Sequence, residues 1–415
     1  MAIIRPFKAL RPTEKNAHLV SSVPYDVVNR EEAKEMVGEN NLSFLKITRS
    51  EIDLDNSLSA YSPEVYQKAK SNLEKLINEA PLITEDSNRF YLYRLEMDGR
   101  SQVGIGAVFS VDDYDNNVIL KHEKTRKEKE DDRTNHIVTT GAQTGVVFLT
   151  YRGVDTVNNV VNKTMLDEKP VYDFTSVDDV KHTVWLLPES QNEFLISEFS
   201  KVKNLYIADG HHRAASAGRA RAEKMKANPG HNGDEEYNYF IAVLFPAEQL
   251  KILPYNRVVV GLNGKSKDEF LNEVNEKFTI EQTDKKEPSE KRTYGMYIDK
   301  QWYSLKPKDS ISASLSLSNS IGDTLDVSIL QDFLLNAVLD IDDPRTNKRI
   351  HFIGGIRGTK ELEKLVDSGK AAVAFSLYPV SLDDLMNISD AGEIMPPKST
   401  WFEPKLRDGL LVHLI

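Results

Sequence analysis

The most concentrated set of chemically active side chains is a run of five consecutive residues: Asp209, Gly210, His211, His212 and Arg213. Apolar residues 205–208 precede it, so we predict a strand leading into a helix over 210–225, with Asp209 as its N-cap. Helix starts attract anions because N–H groups and partial positive charge point outward there, and glycine lets a ligand approach the backbone. The run predicts a phosphate-binding turn. The alternative is a capping aspartate beside solvated histidines.

A second group of polar residues follows the apolar residues 118–120. His122 and Glu123 would form an acid–base pair at the end of a sheet, and Arg133 would return to the same place. Between them lies a dense charged run. Because charge runs are usually solvated, we expect residues 127–130 to lie on the surface.

Residues 41–51 form a third group. A short strand there would place Arg49 and Glu51 on one face, because side chains alternate along a strand. These two residues are candidate site residues, and a surface ion pair is the alternative interpretation.

The fourth group lies in residues 395–405, which contain three prolines. Prolines stiffen a loop, so its polar side chains would be presented at little entropic cost. Those side chains belong to Lys398, Ser399, Thr400 and Lys405. The loop lacks the glycines of a P-loop, so a Walker-type nucleotide site is not predicted.

Metal binding is a second interpretation of the histidines. The chain has no cysteine, which excludes zinc–thiolate sites, disulfides and cysteine nucleophiles, so a metal would need oxygen or imidazole ligands. Neither His211 nor His212 has another histidine four residues further on, and phosphate binding is therefore preferred. A metal-dependent hydrolase remains an alternative, built on His122, Glu123, His211 and His212.

Alternating helix and strand patterns must position these groups. Helices are predicted over 30–37, 63–77 and 327–339. Strands are predicted over 90–95, 102–109, 146–151, 182–187, 205–208, 239–245, 371–377 and 410–414. The expected fold class is α/β (mixed α+β). A lysine- and glutamate-rich stretch after about residue 260 predicts a division into an N-terminal portion, 1–260, and a C-terminal α/β portion, 261–415, that returns the proline-rich loop to the site.

Composition narrows the classes of partner. With 415 residues and a formal net charge of −11, the chain repels polyphosphate backbones, so nucleic acid is not an expected partner. No apolar run approaches the roughly 20 residues needed to span a bilayer, and we expect a cytoplasmic protein without a membrane partner. The oligomeric state is left open.

Together the four groups resemble a bacterial and archaeal family, the domain of unknown function numbered one thousand and fifteen. The resemblance extends over the whole chain. It is carried by residues 24–27, 41–51, 122–125, 132–133, 208–213, 395–400 and 402–405. The Asp-Gly-His-His-Arg segment alone is similar to the ParB/sulfiredoxin-like group, which includes free-serine kinases. That similarity implies a ParB/sulfiredoxin-like core with large additions.

The resemblance implies a phosphotransferase of serine metabolism. Free L-serine would be phosphorylated from pyrophosphate or ADP with Mg²⁺, or phosphoserine would release serine in reverse. Phosphate would be bound by Gly210, His211, His212, Arg213, Arg49, Arg133, Lys398 and Lys405. The catalytic candidates are Glu51, Glu123, His122 and Asp209. Substrate would be bound by Tyr25, Asp26, Ser399 and Thr400. Phosphoryl transfer needs a carboxylate to receive the hydroxyl proton, and Glu51 and Glu123 are the candidates, with Asp26 behind them.

The chain departs from the family pattern at residues Tyr255, Asn256 and Arg257, where we expect His-Arg. One supporting residue is therefore missing. A nucleotide or phosphate sensor that binds without catalysis is the first alternative function. Sulfiredoxin-like chemistry is excluded, because it requires a cysteine.

Overall fold

The computed structural model describes residues 1–79 and 82–415, which form two compact units. The first unit combines residues 1–121, 125–250 and 404–415, and the second combines 122–124 with 251–403. The fold is mixed α/β, as predicted. Each unit consists of segments that are separate in the sequence. The division between residues 260 and 261 therefore remains a prediction. Over the described ranges, no helix is long and apolar enough to cross a membrane.

The first unit is built on a mixed sheet. Its strands are β1 Ile4–Arg5, β2 Leu10–Pro12, β3 Leu82–Thr84, β4 Tyr91–Met97, β5 Arg100–Ser110, β6 Ile119–Leu120, β7 Ala142–Gln143, β8 Val147–Tyr151, β9 Tyr172–Thr175, β10 Lys181–Leu186, β11 Leu205–Asp209 and β12 Tyr239–Pro246. The order in the main sheet is β6-β11-β8-β12-β5-β4-β10-β9, with β1 on β5, and β2 pairs with β3 separately. The strands predicted in this part of the chain are confirmed, with ends shifted by one or two residues.

The β4–β5 hairpin shows why the strands start and stop where they do. Met97 pairs with Arg100, and Asp98 and Gly99 both have positive φ, at 51° and 72°. Positive φ at both central residues is typical of the two-residue turn that matches strand twist. The sequence Met97-Asp98-Gly99-Arg100 between the two strand patterns predicts a hairpin turn, and the structure confirms it.

The helices of this unit are α1 Ala17–Val20, α2 Arg30–Val37, α3 Leu45–Thr48, α4 Pro63–Glu79, α5 Val111–Asp115, α6 Lys127–Thr140, α7 Asp155–Asp167, α8 Asn192–Phe199 and α9 His211–Ala227. The start of α2 is confirmed by a capping box, in which Asn29 accepts from the Glu32 amide and Glu32 accepts from the Asn29 amide. Helix α9 packs its small residues inward: Ala214, Ala217 and Ala220 are buried.

The strand predicted within residues 41–51 is wrong. Helix α3 and a following 3₁₀ turn, Ser50–Asp53, occupy this segment. The reason lies in its buried positions: Phe44 and Ile47 are three residues apart on one helical face and join a core cluster with Leu73 of α4. Helical spacing therefore prevails over alternation.

The second unit has its own antiparallel sheet. Its strands are β13 Ile252–Leu253, β14 Tyr255–Val259, β15 Phe278–Gln282, β16 Tyr294–Ile298, β17 Gln301–Pro307, β18 Ile350–Gly354, β19 Val373–Leu377 and β20 Trp401–Phe402. The main sheet has the order β15-β17-β16-β19-β14-β18, and β13 pairs with β20. Its helices are α10 Lys267–Lys277, α11 Asp309–Ser316, α12 Asp326–Leu330, α13 Gly358–Asp367 and α14 Leu382–Asp390. The helix predicted over 327–339 begins as α12 but continues as a π-helix, Gln331–Asn336.

The last twelve residues of the chain belong to the first unit. The strand β21, His413–Leu414, pairs with β7, so the strand predicted over 410–414 is shorter than expected. Asp408 and Ser22 exchange two backbone hydrogen bonds at 2.9 and 3.1 Å. Arg407 anchors the segment further by donating to His182 at 3.2 Å and to Ser176 at 3.0 Å.

Candidate functional site

The turn between β11 and α9 is the centre of the candidate site. Asp209 ends the strand, and Gly210 stands at the N-cap with φ +94°. The prediction that Asp209 is the N-cap is therefore wrong, because the chain needs a left-handed residue there and glycine adopts that conformation without strain. Glycine has no side chain to accept from the first-turn N–H groups. The amides of the first turn are thus not capped by their own N-cap residue.

Arg213 reaches back beneath this turn. It is buried, and its Nη2 donates to Asp209 Oδ2 at 3.1 Å and lies 3.8 Å from Asp26 Oδ2, while its Nη1 donates to the Val146 carbonyl. Burial alone lowers the Arg213 pKa, but Asp209 and Asp26 outweigh it and raise the pKa. The guanidinium is therefore held charged between two carboxylates, which it fixes in place.

Lys405 and Asp408 come to this turn from the last segment of the chain. Lys405 Nζ lies 3.5 Å from Asp209 Oδ2. Asp408 is 1% exposed, and burial raises its pKa to about 7, although Arg213 opposes the shift. Sequence analysis missed Asp408 because an aspartate before a glycine reads as an ordinary turn residue. Its burial depends on contacts with distant segments.

The two histidines face different surroundings. His212 Nε2 accepts a hydrogen bond from the Arg126 amide at 3.0 Å, so its ring proton lies on Nδ1. This bond ties the start of α9 to the residue before α6. His211 is buried, at 5% exposure. The predicted surface position of the charged run is confirmed for Lys127 and Glu128, which are exposed.

Tyr25 and Arg133 form a second part of the site in the first unit. The Arg133 guanidinium lies 4.3 Å from the centre of the Tyr25 ring and pairs with Asp132 at 2.9 Å. Tyr25, Arg133 and Arg213 line a cavity of about 20 Å³ together with His136. A cavity of this size has room for about one water molecule.

Arg49 and Glu51 form an ion pair at 3.0 Å. The alternative interpretation, an ion pair on the surface, does not hold, because the Glu51 side chain is only 7% exposed. The 3₁₀ turn that replaces the predicted strand directs Glu51 inward. Burial makes the pair structurally costly to break.

Four other predicted site residues lie in the second unit, namely His122, Lys398, Ser399 and Thr400. His122 Nε2 is 3.4 Å from Thr400 Oγ1, and the His122 carbonyl accepts from the Met395 amide at 2.8 Å. Ser399 Oγ donates to the Pro396 carbonyl at 2.6 Å. Lys398 Nζ lies 5.4 Å from the centre of the Tyr255 ring. The histidine and the proline-rich loop are therefore built into one cluster.

Glu123 lines a separate cavity of the same unit, of about 390 Å³. Its other lining residues include four aspartates and two basic residues, namely Asp323, Asp332, Asp342, Asp343, Lys124 and Arg345. Within residues 1–79 and 82–415, no group of three histidine, aspartate or glutamate side chains is arranged to hold a metal ion. The metal-dependent hydrolase alternative therefore gains no support from the structure.

These features define an α/β protein in which Arg213, Lys405 and Asp408 lie at a strand–glycine–helix turn of the first unit. The chain belongs to the family described as "Protein of unknown function (DUF1015)", whose model matches residues 4–328. This confirms the resemblance found from the four groups. A comparison with curated proteins gives no match.

Three of the solved structures that are similar to this chain have TM-scores between 0.35 and 0.39. A conserved hypothetical protein from Pyrococcus furiosus is 12% identical, covers 75% of this chain and 95% of its own, and has a TM-score of 0.35. Free serine kinase in complex with AMP is 11% identical, covers 74% and 91%, and has a TM-score of 0.35. SbnI with C-terminal truncation from Staphylococcus aureus is 12% identical, covers 74% and 87%, and has a TM-score of 0.39.

Proposed function

We propose that this protein is a phosphotransferase acting on the hydroxyl group of free L-serine. Pyrophosphate or ADP would be the phosphate donor, or phosphoserine would react in the reverse direction. The observation that carries the proposal is the turn at Gly210, where helix α9 begins without a capping side chain and Lys405 Nζ lies 3.5 Å from Asp209 Oδ2. Backbone N–H groups and a lysine are a recurrent means of holding a transferred phosphoryl group.

Each group at the turn has a distinct task in this proposal. The first-turn amides would bind phosphate oxygens, and Lys405 would neutralise charge that develops on them during transfer. Arg213 would act less as a phosphate ligand than as the residue that orients Asp209 and Asp26, because its Nη2 is directed at both carboxylates.

Mg²⁺ fits the same carboxylates. Asp26 and Asp209 offer oxygen ligands on side chains that are 41% and 29% exposed, and Mg²⁺ in phosphoryl-transfer sites is commonly bound by one or two carboxylates plus phosphate. The ion would supply charge neutralisation on the phosphate oxygens.

The proton acceptor remains one of three carboxylates. Glu51 is buried and paired with Arg49, Asp26 is partly exposed beside Arg213, and Glu123 lies in the second unit. A base must lie within hydrogen-bond reach of the serine hydroxyl. Substitution by the matching amide separates the three.

The test is ³¹P NMR of the purified protein with Mg²⁺ and L-serine, with pyrophosphate, ADP and ATP offered in turn. A phosphoserine signal that depends on one donor supports the proposal and names the donor. Lys405→Met is expected to reduce the rate about 10- to 100-fold, the effect of losing one charge-assisted contact. Lys226→Met, at the exposed opposite end of α9, is the matched control and should leave the rate unchanged.

An absence of turnover with every donor, and from phosphoserine in reverse, would reject the enzyme proposal. A rate that Lys405→Met and Lys226→Met change equally would reject the role given to Lys405. Phosphate or nucleotide binding without any turnover would instead favour the sensor alternative.

A further inference from the structure

Arg257 is a buried cation in the second unit. It lies on β14 and is 3% exposed. Its Nη1 donates to the Tyr255 carbonyl, and its guanidinium carbon lies 5.1 Å from the centre of the Phe352 ring. In the part of the chain that the structure describes, no aspartate or glutamate oxygen lies within 4.0 Å of this guanidinium.

Other buried arginines of this protein do have carboxylate partners. Arg11 pairs with Glu85, and Arg133 pairs with Asp132. Burial lowers the Arg257 pKa to about 9, which still leaves the side chain charged at neutral pH. A buried charge without a counter-ion is strongly unfavourable, so proteins rarely keep one without a use.

Residues of β18 and of the proline-rich loop lie around the segment that contains Arg257. The pairing of β13 with β20 brings the proline-rich loop beside β14. On that loop Lys398 is left-handed, with φ +56°, although it is not glycine. Strained residues of this kind concentrate at functional sites. The Lys398 ammonium lies near the Tyr255 ring, the same residue whose carbonyl accepts from Arg257.

We propose that Arg257, with Lys398 as a second cation, binds the oxyanion group of a small ligand, either a phosphate or a carboxylate. The bound anion would supply the counter-charge that no described aspartate or glutamate supplies to Arg257. A planar guanidinium binds either group through two parallel hydrogen bonds. The site uses residues of the second unit alone and does not depend on the proposed serine phosphotransfer.

The test is isothermal titration calorimetry of the full chain with inorganic phosphate and, separately, with acetate. The wild type should bind at least one of the two, and Arg257→Met should bind that anion at least tenfold more weakly. Whichever anion binds identifies the group. Should the methionine variant not fold, Arg257→Lys gives the same comparison, because it keeps the charge but loses the planar fork.

A stability measurement separates a ligand site from a structural role. Without ligand, Arg257→Met should be at least as stable as the wild type to urea, because the substitution removes an uncompensated buried charge. The matched control is Arg11→Met, which should lose stability because Glu85 is left unpaired, with anion binding unchanged. The proposal is overturned if neither anion binds the wild type, or if Arg257→Met binds as tightly as the wild type.

This outcome can be told apart from failure of the proposed function. Lys405→Met tests turnover in the first unit, whereas Arg257→Met tests anion binding in the second. Loss of anion binding in Arg257→Met with no turnover in the wild type would leave the oxyanion site standing and reject the phosphotransferase.

Discussion

Asp408 adds a carboxyl group to the two that already surround Arg213. Its folded-state pKa of about 7, raised by burial and by Asp26 against the opposing effect of Arg213 and Arg133, lies above the value of about 3.9 expected in the unfolded chain. The folded protein therefore binds this proton more tightly than the unfolded chain does. The stabilisation that results is complete below about pH 4 and is lost as the pH rises through 7.

We expect the free energy of unfolding of Asp408→Asn, measured relative to that of the wild type, to be higher at pH 8 than at pH 5. Since one pKa unit corresponds to about 1.4 kcal/mol, the gain should be roughly 2–3 kcal/mol. Urea denaturation of both proteins at the two pH values measures it. Asp178→Asn is the control, because burial raises the Asp178 pKa but Arg407 and Ser176 lower it further, and its effect should not change between pH 5 and 8. A constant difference for Asp408→Asn would contradict the assignment.

The choice of base is a prediction about single carboxylates. Among Glu51→Gln, Glu123→Gln and Asp26→Asn, one variant should lose about 10²- to 10⁴-fold in kcat for serine phosphorylation, the usual contribution of a general base. The other two should change KM or stability more than kcat. Comparable losses of kcat in all three variants would mean that none of them is the base.

Single residues also show what sequence could not predict. The run Asp209 to Arg213 identified the turn, because its residue types and spacing are local. It did not indicate that Arg213 is directed at Asp26 and Val146, since both partners come from distant parts of the chain. The raised pKa of Asp408 could not be predicted from the sequence either, because it depends on burial in the folded protein.

At the scale of elements, Gly210 sets the join between β11 and α9. A Cβ atom there would lie 3.0 Å from Arg213 Nε, and φ is +94°. Gly233 has φ +95° but nothing within 4 Å of an added Cβ. Substitutions at these two glycines therefore distinguish two costs in stability: that of the left-handed backbone conformation, which both share, and that of the contact with Arg213, which arises only at Gly210.

We expect Gly210→Ala to cost more stability than Gly233→Ala. Each substitution should cost about 1–2 kcal/mol for the left-handed conformation, and the extra cost at Gly210 reports the contact with Arg213. Urea denaturation measures the difference, and only Gly210→Ala should reduce turnover. Equal losses of stability and full turnover in both variants would show that the turn tolerates a side chain.

Elements were predictable where one period dominates. The strands flanking the β4–β5 turn and the long helix α4 have clear patterns, and both predictions are confirmed. Alternation along residues 41–51 would place Arg49 and Glu51 on one face of a strand, but Phe44 and Ile47 are also spaced for one face of a helix. In such a short segment only packing against α4 decides between the two periods.

At the scale of the whole molecule, each of the two units is built from segments that are not continuous in the sequence. Residues 122–124 belong to the second unit and residues 404–415 to the first. A segment of three residues is too short to change the composition or the periodicity of the sequence. The sequence therefore predicts that His122 and Asp209 belong to the same N-terminal portion, 1–260. The final segment is what supplies Lys405 and Asp408 to the turn at Gly210.

Arg407 does not lie at the turn itself, but it should affect the position of Lys405 there by holding residues 404–415 in place. Its guanidinium pairs with Asp178 and donates to Ser176 and His182, which fixes residues 404–415 on strand β10 and on the turn between β9 and β10. We expect Arg407→Met to lower the free energy of unfolding by about 2–4 kcal/mol, because it breaks a buried charged network. Hydrogen exchange of residues 404–415 should accelerate, and turnover should fall as Lys405 loses its position beside Asp209.

The matched control is Arg345→Met. Arg345 pairs with Asp343 on the surface, with side chains 49% and 34% exposed, and such exposed pairs contribute at most about 1 kcal/mol. Its loss should leave both exchange and turnover unchanged. If Arg407→Met accelerates exchange in the final segment without reducing turnover, Lys405 takes no part in the reaction. Unchanged exchange in that variant would mean that backbone pairing with Ser22 and β7 alone anchors the segment.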